Sequence, residues 1–312
     1  MSTEIKVSPL GFGCASVMGK VGKSKSINAM AQAYDLGVTH FDIARSYGFG
    51  RAEGVLGEFI RNKRSYVTIT TKFGVAPPHL SFQKKLVIPI ARRLAEHIPE
   101  LKAKLRRKSS VLLAEKCFDL PYAKKCLDTS LRELRTDYID FYMLHEPESF
   151  VLKKNDDLMM FLDDSVDAGK IRAWGVAYKD ADDYSTNNHL IGNVVQFEGN
   201  ANNFSVIEDH DVFKFNQRFV MRPFAGGEGM AKNNICSNVK NNSFFREFDM
   251  GFSDLLLCLA NELAGPRGSV VCSMFSSEHI LKNINTVNMI RNNEEAKSLV
   301  RNYMNEHRNI KK

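Results

Sequence analysis

SLRELRTDYIDFYMLHEP, running from Ser130 to Pro147, carries the pattern on which the fold turns. A helical stretch, Tyr122–Leu134, gives way within a few residues to Tyr138–Leu144, which is a near-continuous apolar run. A strand that is apolar on both faces is what a parallel sheet buried under helices requires. The same unit recurs along the chain. Strands are expected at Leu10–Cys14, Val38–Ala44, Tyr66–Phe73, Ile171–Ala177, Asn193–Phe197, Phe219–Phe224 and Ser269–Ser273. Helices are expected at Ser26–Leu36, Ala52–Asn62, Leu158–Ala168 and Asp254–Leu263, and Gly37 and Gly169 stand where C-caps belong. Eight strands alternating with helices over 312 residues predict an α/β fold, a (β/α)8 barrel of TIM type forming a single domain over residues 1–312. A doubly wound sheet is the alternative. It is disfavoured because no Gly-x-Gly-x-x-Gly follows the first strand. No internal repeat, low-complexity tract or linker divides the chain.

Hydrophobic residues make up 44% of the chain, which supports a packed core and argues against disorder. The longest apolar runs, such as Leu255–Leu259, fall far short of the ~20 residues of a membrane span. The N-terminal MSTEIKVSPLGFG has no apolar signal core. A cytoplasmic protein is therefore expected. The six cysteines, Cys14, Cys117, Cys126, Cys236, Cys258 and Cys272, show no paired ligand spacing. They read as reduced thiols, mostly in the core, and no metal site is expected.

The net charge of +7 has one address. Residues 81–110 hold nine bases, among them Arg92, Arg93, Lys102 and Arg106, against Glu96 and Glu100. The rest of the chain is formally neutral, which argues against a general nucleic-acid binder. About 45 residues follow the third strand before the next barrel helix, where ~2–6 would serve. Within them Ile90, Leu94, Ile98, Leu101 and Leu105 form a helical stripe, interrupted at Pro99. A basic helical insertion over residues 75–120, covering the C-terminal face of the barrel, is expected. Its outward bases are either a solvated helix face, a grip on an anionic substrate, or a contact to a polyanion or membrane surface.

Chemistry in such a barrel sits where strands end. The second strand runs into Phe41-Asp42-Ile43-Ala44-Arg45-Ser46-Tyr47-Gly48, the third into Thr71-Lys72-Phe73-Gly74, the fourth into Leu144-His145-Glu146-Pro147. An Asp, a Tyr, a Lys and a His then converge on one face. A free tyrosine, with a pKa near ~10, is a reluctant acid. A neighbouring ammonium stabilises its phenolate and lowers that value, and a carboxylate holds the ammonium. A histidine orients a substrate carbonyl. Together the four form a proton donor for carbonyl reduction.

Phe41-Asp42-x-Ala44-x-x-Tyr47-Gly48-x-Gly50-x-Ala52-Glu53, Thr71-Lys72, the run Ser130–Pro147, Gly169-Lys170-Ile171-Arg172-x-x-Gly175-Val176 and Val194-Val195-Gln196 resemble the aldo-keto reductase superfamily, in family order and over nearly the whole chain. The resemblance implies a barrel that binds NAD or NADP across its top, without a Rossmann domain. It implies Tyr47 as general acid/base, Lys72 and Asp42 as its tuners and His145 as substrate orienter.

The resemblance also implies a cofactor site, with departures. Gln196 fits the residue that holds the nicotinamide carboxamide. The accompanying Ser-Asn pair is replaced by Ala177-Tyr178, and losing such bonds costs about 1 kcal/mol each unless the Tyr178 hydroxyl substitutes. The ring-stacking position falls on Met221, a thioether that packs on an aromatic ring, beside Arg222. Pro223-Phe224-Ala225-Gly226 resembles the loop along the pyrophosphate. Ser273, His279 and Asn283 fall in the adenosine-binding segment. Ser273, Met274 and His279 supply no basic pair for a 2′-phosphate, which leans toward NAD.

The expected function is an NAD(P)-dependent oxidoreductase that moves a hydride between nicotinamide and a carbonyl or alcohol, including sugars and sugar derivatives. The alternative is an inactive barrel serving as a nicotinamide-nucleotide-binding regulatory subunit. The expected partner is a small-molecule substrate, anionic if the insertion grips it. No nucleic acid and no transmembrane segment is expected.

Overall fold

A computed structural model describes residues 5–77, 115–153, 155–179, 191–200, 203, 214–215, 217–224 and 250–307. Most of the insertion, residues 78–114, lies outside them, and so do Ala225 and Gly226. The strands are β1 (Leu10–Gly13), β2 (His40–Asp42), β3 (Thr68–Phe73), β4 (Ile139–His145), β5 (Ile171–Ala177), β6 (Val194–Glu198), β7 (Gln217–Met221) and β8 (Ser269–Cys272). All pair in parallel with their sequence neighbours, and β8 returns to β1, closing the barrel.

The described helices are α1 (Lys23–Asp35), α2 (Ala52–Ile60), α3 (Leu120–Leu134), α4 (Ser149–Lys153), α5 (Asp156–Asp167), α6 (Phe252–Ala264), α7 (Ser277–Asn292) and α8 (Glu294–His307). None of them is long and apolar enough to cross a membrane. Sequence reading found five of these to within a few residues and missed α4, α7 and α8. Helix α7 is rich in asparagine, a weak helix former, and is started by Ser276, whose side chain accepts from the His279 backbone N–H. Gly37 and Gly169 take positive φ at their helix ends, as expected.

The strands bury two different faces. Phe41, Ile69, Phe73, Tyr142, Leu144, Trp174, Val176, Val195, Phe197, Val220 and Val270 point outward into one large core beneath the helices. Phe141, Met143, Ala173, Ala177, Val194, Phe219 and Val271 fill the inside of the barrel with Ile5. Gln217 donates to the Ile5 carbonyl, which ties the N-terminal segment to the start of β7. The continuous apolar runs are thus explained by burial on both faces. Strand β7 corrects the sequence expectation of 219–224. It ends at Met221 because Arg222 turns left-handed, with φ +54°, ahead of Pro223.

A histidine sits among the interior apolar residues. His40 is fully buried, stacked on Phe219 at 4.6 Å, with Nδ1 3.0 Å from Thr68 Oγ1. Burial, then the charge of Lys72, lowers its pKa to about 3. The unfolded chain therefore binds a proton between about pH 6.5 and 3 that the folded chain refuses. Stability from this residue is intact above pH 6.5 and is lost as pH falls. About 2 kcal/mol should be gone by pH 5. Thermal melts at pH 7 and pH 5 check this. His40→Gln should show a smaller drop between the two, and an equal drop would remove the assignment.

Candidate active site

The C-terminal ends of the strands gather five of the side chains singled out above. Asp42 ends β2, Lys72 is next to last on β3, His145 ends β4, and Gln196 lies in β6. Tyr47 opens a short 3-10 turn, Tyr47–Gly50, in the connection to α2. Register puts all four strand residues on the inward face: His145 and Gln196 are two residues from Met143 and Val194 of the barrel interior, Asp42 is two from His40, which packs on Phe141 and Phe219, and Lys72 is four from Thr68, which meets His40.

Lys72 is 2% exposed, and its ammonium donates to both Asp42 oxygens at 2.7 and 2.8 Å and to the Ile43 carbonyl at 3.1 Å. Three donors meet three acceptors, so the ammonium is fixed in place. Gln196 Nε2 donates to Asp42 Oδ2 at 2.7 Å. The Lys72 ammonium lies 5.4 Å from the centre of the Tyr47 ring. The His145 ring meets Tyr47 edge-on, with centres 5.9 Å apart. Asp42, Lys72 and Gln196 are buried, whereas Tyr47 and His145 are partly open to the mouth.

Electrostatics assigns protonation states. On Lys72 burial is the largest influence and opposes the charge, but Asp42 and then Tyr47 outweigh it, and the pKa rises. Burial also raises the Tyr47 phenol; Lys72 pulls it back, while Asp42 and Glu146 add to the rise. The expected lowering by Lys72 is therefore present, but burial exceeds it. Tyr47 is a protonated donor at neutral pH. Burial, then Lys72 and Lys116, lowers His145 to about 3, so it is a neutral imidazole able to hydrogen-bond an oxygen. Its Nδ1 is buried without a hydrogen-bond partner among the described residues.

The turn that carries Tyr47 needs its glycine. Gly48 has φ +59°, and a Cβ there would lie 2.5 Å from the Val17 carbonyl oxygen. No other residue fits that approach.

Among the residues expected to hold a cofactor, Gln196 has its Oε1 buried with no hydrogen-bond partner among the described residues. Ala177 packs in the barrel interior and Tyr178 in the core under the helices, so the Tyr178 side chain does not stand in for the missing pair at the mouth. Met221 is half-buried against the interior cluster. Arg222 is exposed and pairs with Glu198 Oε2 at 3.2 Å, while Pro223 is buried and Phe224 half-buried. Ser273 and His279 are exposed, and Asn283 is buried one helical turn beyond His279.

A profile of the Aldo/keto reductase family matches residues 9–234. The chain belongs to the aldo/keto reductase family. Aldo-keto reductase YhdN of Bacillus subtilis is 30% identical over 182 residues, which are 56% of this chain and 44% of that protein. The 6-dehydroglucose reductase of Novosphingobium aromaticivorans is 28% identical over 199 residues, 60% of this chain and 53% of that one. The chain thus spans about half the length of the curated relatives it matches. An aldo-keto reductase from Klebsiella pneumoniae, solved in complex with NADPH, superposes with a TM-score of 0.62 at 20% identity, covering 95% of this chain and 91% of that one. That likeness is one of fold, and it extends over the aldo/keto reductase barrel seen here.

Lys116 and Glu198 escaped sequence reading, since neither stands in a recognisable local motif. Val75 and Lys116 form an antiparallel bridge at the end of β3, so the two ends of the insertion meet beside the mouth. The Lys116 ammonium donates to the Glu146 carbonyl at 2.7 Å, next to His145.

Proposed function

We propose that this protein is an NAD(P)-dependent oxidoreductase interconverting a carbonyl compound and its alcohol. The observation that carries the reading is the buried Asp42–Lys72 pair set against the Tyr47 ring and His145. A nicotinamide fits beside it, because the unpartnered Gln196 Oε1 is an acceptor for a carboxamide N–H. When bound, that cofactor supplies or removes the hydride. His145, neutral, holds the substrate oxygen by a hydrogen bond. Tyr47 gives that oxygen its proton on reduction and takes it back on oxidation. Lys72 stabilises the phenolate left behind, and Asp42 keeps Lys72 in place. Met221, Arg222, Pro223, Phe224, Ala225 and Gly226 would border the nicotinamide and pyrophosphate, and Ser273, His279 and Asn283 the adenosine.

Ser273 and His279 place no permanent cation where a 2′-phosphate would lie, which favours NAD over NADP. Turnover measured with NADH and with NADPH against aldehydes, ketones and sugar-derived carbonyls tests the assignment. The relative named 6-dehydroglucose reductase puts oxidised sugars in that panel. Gln196→Leu should weaken nucleotide binding about fivefold, the equivalent of one hydrogen bond near 1 kcal/mol. Equal affinity would remove Gln196 from the site.

The +7 segment is rooted at the mouth by the pairing of Val75 with Lys116, which favours a substrate bearing a carboxylate or phosphate. A lower KM for a carboxylated aldehyde than for its neutral isostere, with the gap closing in salt, is the expected sign. A second reading follows from Ala177, which offers a methyl group where the relatives' pattern has a hydrogen-bonding side chain. A nucleotide-binding regulatory subunit would bind the cofactor and turn over nothing in the panel.

A further inference from the structure

Arg45 and Glu53 bracket Tyr47 in the chain and meet behind it. Glu53, in the first turn of α2, is fully buried. Its Oε1 accepts from Thr71 Oγ1 at 2.7 Å and from Ser130 Oγ on α3 at 2.8 Å. Its Oε2 takes the Arg45 guanidinium in an ion pair. The second guanidinium nitrogen of Arg45 donates to the Gly50 carbonyl at 3.0 Å, and the Arg45 backbone N–H donates to the Lys72 carbonyl, also at 3.0 Å. Thr71 and Lys72 are consecutive on β3 and face opposite ways. The carboxylate that grips Thr71 therefore sits behind the strand whose other face presents Lys72 to Tyr47.

The loop in between has little hold on its own shape. Gly48, Phe49 and Gly50, the three residues after Tyr47, all have positive φ, and one of them is not glycine. Such a run persists only where its surroundings over-determine it. Arg45 supplies that restraint: its side chain bonds Gly50 and Glu53, on the far side of the loop, while its own backbone, on the near side, is tied to β3. A buried ion pair is a poor device for stability alone, since apolar residues of like volume serve as well.

We propose that Glu53 is a positioning residue: through Arg45 it holds the Tyr47 loop against β3 and so sets the distance from the phenol to Lys72. The inference rests on Tyr47 being the proton donor. Among the described residues, the charged and titratable groups facing Tyr47 are Lys72 from β3, Asp42 from β2, His145 and Glu146 at the end of β4, and Cys14 after β1. Lys72 alone among those charged groups is a cation. A loosened loop weakens both its pull and the burial that outweighs it, so the Tyr47 titration moves from its parental position.

The test uses Glu53→Gln, which keeps shape and one acceptor but loses the charge that holds Arg45, and Arg45→Lys, which keeps the charge but not the fork. Each should lower kcat about 10- to 100-fold, the scale of a misplaced catalytic group. The nucleotide dissociation constant should stay within about twofold, and the alkaline limb of the reduction profile should move from its parental position. Glu58→Gln, on the same helix but in an exposed pair with Lys23, should be wild type. The double variant Arg45→Met, Glu53→Leu removes both charges. It should stay slow, whereas a purely structural role would restore kcat. If Glu53→Gln does not fold, Arg45→Lys decides. Parental kcat and pH profile in either folded variant would overturn the inference while leaving the reductase reading in place. No turnover in the parent protein would remove the reading and the inference together.

Discussion

Tyr47→Phe is expected to lower turnover by about a thousandfold and to leave nucleotide binding within about twofold. The change removes one oxygen and nothing else. The ring stays packed edge-on against His145 and beside the Lys72 ammonium, so the loop and the Asp42–Lys72 pair keep their places. Only the proton is withdrawn. His145 cannot replace it, because with a pKa lowered to about 3 it carries no proton to give near neutrality beyond the one on its neutral ring. Water reaching the carbonyl in place of the phenol is a far weaker acid. The pH profile supplies a second readout. With the Tyr47 pKa raised above its ordinary value, reduction should hold its rate into the alkaline range and then fall as the phenol ionises. Oxidation, which needs the phenolate, should climb over the same interval. Both limbs should vanish in Tyr47→Phe. Steady-state kinetics from about pH 6 to 10.5, with binding followed by quenching of intrinsic fluorescence, measures all of this. Unchanged turnover in the variant would sink the assignment of Tyr47.

How far the site could be read from sequence depends on what kind of contact makes each part. Asp42, Tyr47, Lys72 and His145 lie at or just after three successive strand ends, and strand ends are legible because doubly buried strands leave continuous apolar runs. The barrel followed from the same runs. The Asp42–Gln196 bond spans 154 positions in the chain and no local pattern announces it. Glu53 was visible as part of a motif, but its work depends on Arg45, Thr71 and Ser130, which come from a loop, a strand and a distant helix. The sign of the Tyr47 shift was also beyond reach. The sequence names the cation beside the phenol but not the burial that outweighs it. Strand β7 was placed two residues late at its start and three at its end, because Pro223 and Phe224 resume the apolar run after Arg222, while the backbone turns at Arg222.

Lys72→Met should cost activity and stability at once, and the two losses can be separated. Lys72 supplies the positive charge nearest the phenol, so without it the phenolate form loses its stabilising neighbour and proton transfer slows by about a hundredfold or more. The stability loss has a different origin. Methionine fills most of the volume, yet it leaves the Asp42 carboxylate buried with Gln196 Nε2 as its remaining side-chain donor among the described residues. Removing one partner of a buried pair costs about 3–5 kcal/mol, more than the net worth of the pair, because the orphaned charge keeps its desolvation penalty. The melting temperature should fall by several degrees. In the double variant Asp42→Leu, Lys72→Met no charge is left unpaired, so most of that fall should be recovered. Its activity should stay at the level of Lys72→Met, because apolar packing rebuilds the core without rebuilding the cation. A double variant that regained turnover with its stability would mean that Lys72 serves the barrel and not the reaction. A double variant as unstable as the single one would mean that the burial of Asp42 is not what the pair relieves.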